Sequence, residues 1–117
     1  PKSVVYQRGL AVGLRELGVA VREGGRAGEA VEPLERSVAL HQGLLDGDPK
    51  SVVYQRGLAV GLRELGVAVR EGGRAGEAVE PLERSVALCQ GLLDGDPKSV
   101  VYQRDLAAAR SALKLTR

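Results

Sequence analysis

The stretch EGGRAGEAVEPLERSV stands at residues 23–38 and again, unchanged, at 71–86. Its glycines beside an arginine admit two readings: a loop that cradles a phosphate, or the turn of a helical hairpin. A phosphate-binding loop follows a strand, and its Walker form carries a Lys and then a Ser or Thr to reach phosphates and magnesium. Here the preceding residues have helical spacing, and Ala27 follows Arg26. The glycines therefore read as turn residues between two helices.

Working outward, the whole neighbourhood is duplicated. Residues 1–48 recur as residues 49–96 with one change, His41 to Cys89. A third copy begins at Pro97, keeps PKSVVYQR and then diverges into DLAAARSALKLTR. A repeat of this length predicts a stacked array in which each unit contacts mainly its neighbours. The chain divides into repeat 1 (1–48), repeat 2 (49–96) and a C-terminal capping helix (97–117) of one repeat domain.

Within a unit, Asp48 before Pro49 suits an N-cap followed by proline at the first helical position. The first helix of each unit, helix A, carries an apolar stripe at Leu10, Leu14, Leu17 and Val21, spaced by three and four. Gly24 and Gly25 end it, as a left-handed cap requires. Helix B follows, with Ala27, Ala30, Leu34, Val38, position 41 and Leu45 on one face. Pro33 and Pro81 lie inside helix B and predict a kink near Glu29 and Ala30. No segment alternates with period two. The expectation is all-α, with five helices over roughly 2–23, 27–45, 50–71, 75–93 and 98–115.

The segment LRELGVAVREGGRAGEAVEPLERSVAL, at 14–40 and 62–88, resembles a tetratricopeptide repeat. Leu17–Gly18 lies mid-helix A, Gly25–Arg26 forms the turn, and Glu29–Ala30 and Leu34 follow in helix B. EAVEPLERSVAL is especially similar to the kinesin-light-chain type of this repeat. The resemblance implies a right-handed superhelix of stacked antiparallel hairpins whose helix A faces line a groove for extended peptides. The residues placed there are Arg15, Val19, Arg22, Arg63, Val67 and Arg70, flanked by Val12, Glu16, Val60 and Glu64. The Asn-based clamp with which some relatives hold a chaperone tail has no counterpart, since the chain contains no Asn.

Gly9, Gly13 and Gly18 interrupt helix A, at a cost of roughly 1 kcal/mol each relative to Ala, which a closely approaching helix offsets. In the third copy these positions become Asp105, Ala109 and Lys114, and Leu14 becomes Arg110. Because no helix B follows there, the changes read as glycines lost with their partner and as a solubilising cap.

Composition narrows the function. Apolar residues make up 44% of the 117, but aromatics only 3%, so the core is aliphatic. Seventeen basic and fifteen acidic side chains leave a net charge of +2, too balanced for a nucleic-acid or membrane binder. No long apolar run suggests a membrane span. Cys89, the single cysteine, forms no internal disulfide, and with no secretory leader the expected setting is cytoplasmic. The chain opens on Pro1, which suggests a piece of a longer protein.

No catalytic set, metal site or cofactor motif emerges. His41 is the only histidine and its twin position holds Cys89, so both read as buried packing on helix B. Carboxylates such as Glu32 and Glu35 read as solvated, with Arg36 placed for an i,i+4 pair to Glu32. The remaining feature is a stripe on helix A: Arg8, Arg15 and Arg22, repeated as Arg56, Arg63 and Arg70. Mixed Arg and Val on that face suit a peptide bearing carboxylates and small apolar side chains. The expected function is thus a non-enzymatic protein-binding scaffold for an acidic or C-terminal segment. The alternative is a structural or self-assembling module with no ligand of its own.

One tyrosine per unit (Tyr6, Tyr54 and Tyr102) is expected at the repeat interfaces, with Tyr54 and Tyr102 against the preceding helix B and Tyr6 the most exposed. Val4, Val5 and Tyr6 have no preceding unit. An open apolar face there predicts a homodimer through the N-terminal end.

Overall fold

The structure, a computed structural model, describes residues 3–117. It is all-helical over them: α1 is Val4–Glu23, α2 Ala27–Gly47, α3 Val52–Glu71, α4 Ala75–Gly95 and α5 Val100–Thr116. Each helix packs on the next, and α1 touches α3 as α3 touches α5, as in a helical repeat.

The helix starts differ from the expectation. Helix A begins not at Pro49 but at Val52, with Ser51 as N-cap; its Oγ accepts the Tyr54 N–H at 3.2 Å. Ser99 caps α5 in the same way, through the Tyr102 N–H, whereas the Ser3 Oγ that caps α1 accepts from the Val5 N–H. Asp48 instead closes α2, where its N–H donates to the Leu44 and Leu45 carbonyls. Proline at position 49 removes a donor in either arrangement, so the serine hydroxyl two residues on decides the start. The Gly-Gly turn behaves as its composition requires. Gly25 sits at φ +87°, its N–H donates to Arg22 O and the Arg26 N–H reaches Val21 O, which satisfies the last orphaned carbonyls. Helix α2 runs unbroken through Pro33. The bond lost is the one to Glu29 O in the first turn, where fewer bonds hold the helix.

The core is aliphatic and continuous from one hairpin to the next. Ala30, Val31 and Leu34 of α2 join Ala68 and Val69 of α3, Ala78 and Leu82 of α4, and Ala112 of α5. In α2 the buried face ends through Ser37, His41 and Leu44 rather than Leu45. Gly18 and Gly66 explain the tight hairpins: a Cβ there would lie 2.5 Å from Leu34 Cγ and Leu82 Cγ respectively. A buried hydrogen bond adds to this, from Ser37 Oγ to Ala11 O and from Ser85 Oγ to Ala59 O, both 2.7 Å.

The junction between hairpins uses other glycines. A Cβ on Gly57 would lie 2.5 Å from the His41 ring, and one on Gly61 3.3 Å from Val38. This corrects the reading of the third copy. Asp105 and Ala109, at the same register in α5, are not solvent replacements; both are buried at the junction with α4. Only Lys114, equivalent to Gly18, and Arg110, equivalent to Leu14, lie exposed where a following helix B would pack.

Candidate functional site

Successive helix A segments place their arginines side by side between α1 and α3. A cavity of about 280 Å³ opens there, with Arg8, Arg15 and Arg56 around Val12, Val60 and Tyr102. His41 and Gly57 also line it. A second cavity of about 400 Å³ adjoins, lined by Val19, Arg63, Glu16 and Glu64 among others, and shares Arg15 and Val60 with the first. The two form one trough along α1 and α3.

Of the residues expected in the groove, the structure brings together Arg15, Val19 and Arg63. The others have different surroundings. Arg22 spans to the next helix A, with Nη2 3.4 Å from Glu64 Oε2 and Nη1 3.4 Å from Glu71 Oε1. Val67 packs against the aliphatic core. Arg70 donates to Ala112 O at 3.2 Å. These arginines stitch helix A to helix A; partly exposed pairs of this kind contribute at most about 1 kcal/mol each. On α4, Arg84 and Glu80 make the i,i+4 contact at 3.7 Å that the sequence suggests for Arg36 and Glu32.

Sequence reasoning passed over Arg8, Arg56 and His41 as partners in one pocket. Arg56 lies 2.7 Å from the buried Asp105 carboxylate, through Nε and Oδ2, and Arg63 lies 3.9 Å from Oδ1 of the same group. The hydrogen bond to Asp105 raises the Arg56 pKa above its ordinary value. Arg8 and Arg15, the same positions one repeat earlier, make no ion pair among the described residues. His41 is 1% exposed, and neither ring nitrogen has a hydrogen-bond partner. Burial, then the charges of Arg15 and Arg8, lower its pKa to about 4, so the ring is neutral at pH 7. Cys89 is buried and free, and burial raises its pKa, so the thiol stays protonated. A signal for the pocket was present in the sequence. The two copies differ at 41 and 89, and the following copies differ again sixteen residues on, at Gly57 and Asp105.

Tyr6 is 61% exposed, whereas Tyr54 and Tyr102 are half-buried, and Tyr102 faces the first cavity. Val4 and Val5 are exposed beside Tyr6. Among the described residues, no group of three or more His, Cys, Asp or Glu side chains is placed to hold a metal. Among the described residues, no helix is long and apolar enough to cross a membrane. Compared with protein-family models, curated proteins and solved structures, the chain matches none of them.

Proposed function

We propose that this protein is a non-enzymatic interaction scaffold of tetratricopeptide type, winding as a right-handed superhelix, whose α1–α3 trough holds an extended acidic segment of a protein partner. The observation that carries the reading is the continuity of the two cavities through Arg15 and Val60. Guanidinium groups of Arg8, Arg15, Arg56 and Arg63 set among Val12, Val19 and Val60 suit carboxylate and small apolar side chains, with Glu16, Glu23 and Glu64 lining the second cavity beside them. The test is titration calorimetry with acidic peptides of six to eight residues. Binding that disappears in Arg15→Glu, with the circular dichroism spectrum unchanged, supports the trough; equal binding by the variant overturns it.

The second reading, a self-assembling module, is favoured by one observation: Val5 at the start of α1 is 78% exposed, in line with exposed Val4 and Tyr6. Light scattering after gel filtration decides it. A dimer that dissociates on Val5→Glu supports self-association, and a 12.3 kDa species at high micromolar concentration overturns it.

A further inference from the structure

The two junctions of this molecule are copies with one charge missing. At the α4–α5 junction, Asp105 reaches across from α5 and its carboxylate sits on Arg56 and Arg63 of the preceding helix A. At the α2–α3 junction the same register holds Gly57, and the two equivalent arginines are Arg8 and Arg15. No carboxylate lines the cavity in front of them. The His41 ring takes the space of the missing Cβ, but as a neutral group it brings no counter-charge to the arginines. Its two nitrogens are themselves unsatisfied, buried polar atoms without the partners that their burial requires. Three polar groups with unused hydrogen-bonding capacity thus surround one space.

We infer that the cavity between Arg8, Arg15 and His41 is a seat for a single carboxylate from outside the chain, which would occupy the place that Asp105 takes on Arg56 and Arg63. The seat is built before the ligand arrives, because Arg15 is half-buried and His41 is held between α2 and α3. A carboxylate there accepts from two guanidinium groups, and a ring N–H of His41 is in the lining to donate as well. No proton transfer is needed, since the neutral imidazole already carries one donor. This deepens the scaffold reading and rests on it for the source of the ligand: the carboxylate belongs to an acidic side chain of the segment in the trough. Free acetate shares the chemistry and serves as the control for it.

His41 is the only histidine, so its imidazole resonances are unambiguous. The experiment follows them by nitrogen-15 NMR while the full chain is titrated with three probes. These are acetyl-Ala-Val-Asp-Val-amide, the same peptide with Asn in place of Asp, and sodium acetate. The expected result is a saturable shift of the His41 ring nitrogens with the Asp peptide and at least tenfold weaker binding of the Asn peptide. Arg15→Gln is expected to weaken the Asp peptide at least tenfold. A second variant keeps the test independent of folding failures. His41→Cys with Gly57→Asp copies into the first junction the pair that already packs at the second, and should fold with its own carboxylate filling the seat. It is expected to lose the Asp peptide, read for this variant and the parent chain by titration calorimetry because the variant has no histidine to follow. If Asp and Asn peptides perturb Val19 and Glu64 alike while His41 does not move, the seat is overturned and the scaffold reading stands. If acetate alone moves His41, the seat stands and the peptide scaffold falls. If no probe moves His41, or the double variant binds as well as the parent chain, the seat is overturned.

Discussion

Helices α1 and α3 have the same twenty residues and share the same two turns of caps, yet they have different interiors. Leu10 of α1 is 38% exposed; Leu58, its twin in α3, is 2% exposed. A Cβ on Gly9 would meet nothing within 4 Å, whereas on Gly57 it would strike the His41 ring. Gly18 and Gly66 behave alike, because each faces the helix B of its own hairpin. Burial in this molecule is therefore set by two separate partners. Gly18 and Leu14 answer to the following helix, whereas Gly9 and Leu10, and also Leu17 (53% exposed in α1 while its twin Leu65 is half-buried), answer to the preceding unit. Only α3 has both.

Twin substitutions test that division. The largest difference is expected for leucine. Leu58→Ala should cost about 3 kcal/mol, as for truncation in a closed core, and Leu10→Ala under about 1 kcal/mol; urea unfolding measures both. Equal costs would mean that α1 is covered in solution, and would point to the self-associated form.

The pH dependence of the junction comes next. His41 has its pKa lowered from 6.5 unfolded to about 4 folded, so the unfolded chain binds the proton first. Stability from this group is fully present above about pH 6.5 and is lost as pH falls towards 4, by about 3 kcal/mol in all. His41→Cys should remove that part of the acid destabilisation, read as the difference between the two chains in urea at pH 7 and pH 4.5. An unchanged difference would show that the ring is protonated or solvated at the junction.

Gly57→Ala should destabilise by about 1–3 kcal/mol, the usual cost of overpacking, while Gly9→Ala should stabilise by about 1 kcal/mol through helix propensity alone. A sign reversal between two chemically identical substitutions is the sharpest form of the comparison, and thermal melts suffice to see it. The smallest contrast concerns tyrosine. Tyr54→Ala is expected to cost about 2 kcal/mol against less than about 0.5 kcal/mol for the exposed Tyr6→Ala, again by urea unfolding.

Much of this was legible in the residues. The turn at Gly25 could be read because only glycine takes a positive φ without strain, and the repeated hairpin because its punctuation recurs. Tyr6 lies at the surface because, among the described residues, no helix B packs against the start of α1. The helix starts were misread at Asp48 because Asp-Pro and Ser-Val offer competing caps three residues apart, and local pattern does not rank them. Asp105 and Ala109 were misread for a deeper reason. Whether a helix A residue faces the preceding or the following helix B depends on rotation about the helix axis, and Gly9 and Gly18 look equivalent in one dimension. The pocket was hidden likewise: Arg8, His41 and Gly57 come from three helices, and no spacing rule joins them. The bond from Ser37 to Ala11 O has no sequence signature, since a serine in mid-helix more often faces water.

The buried thiol has a practical consequence. Cys89 lies under Leu106 of α5 in a small cluster with Ala59, and it is the only sulfur in the chain. Reagent reaches it only when the packing around it opens, so the rate of alkylation in native buffer is a clock for that opening. At the other seam the single imidazole serves as a spectroscopic marker. One chain thus carries a chemical reporter at its terminal joint and a magnetic one at its internal joint, and the opening of each can be followed separately without adding a label.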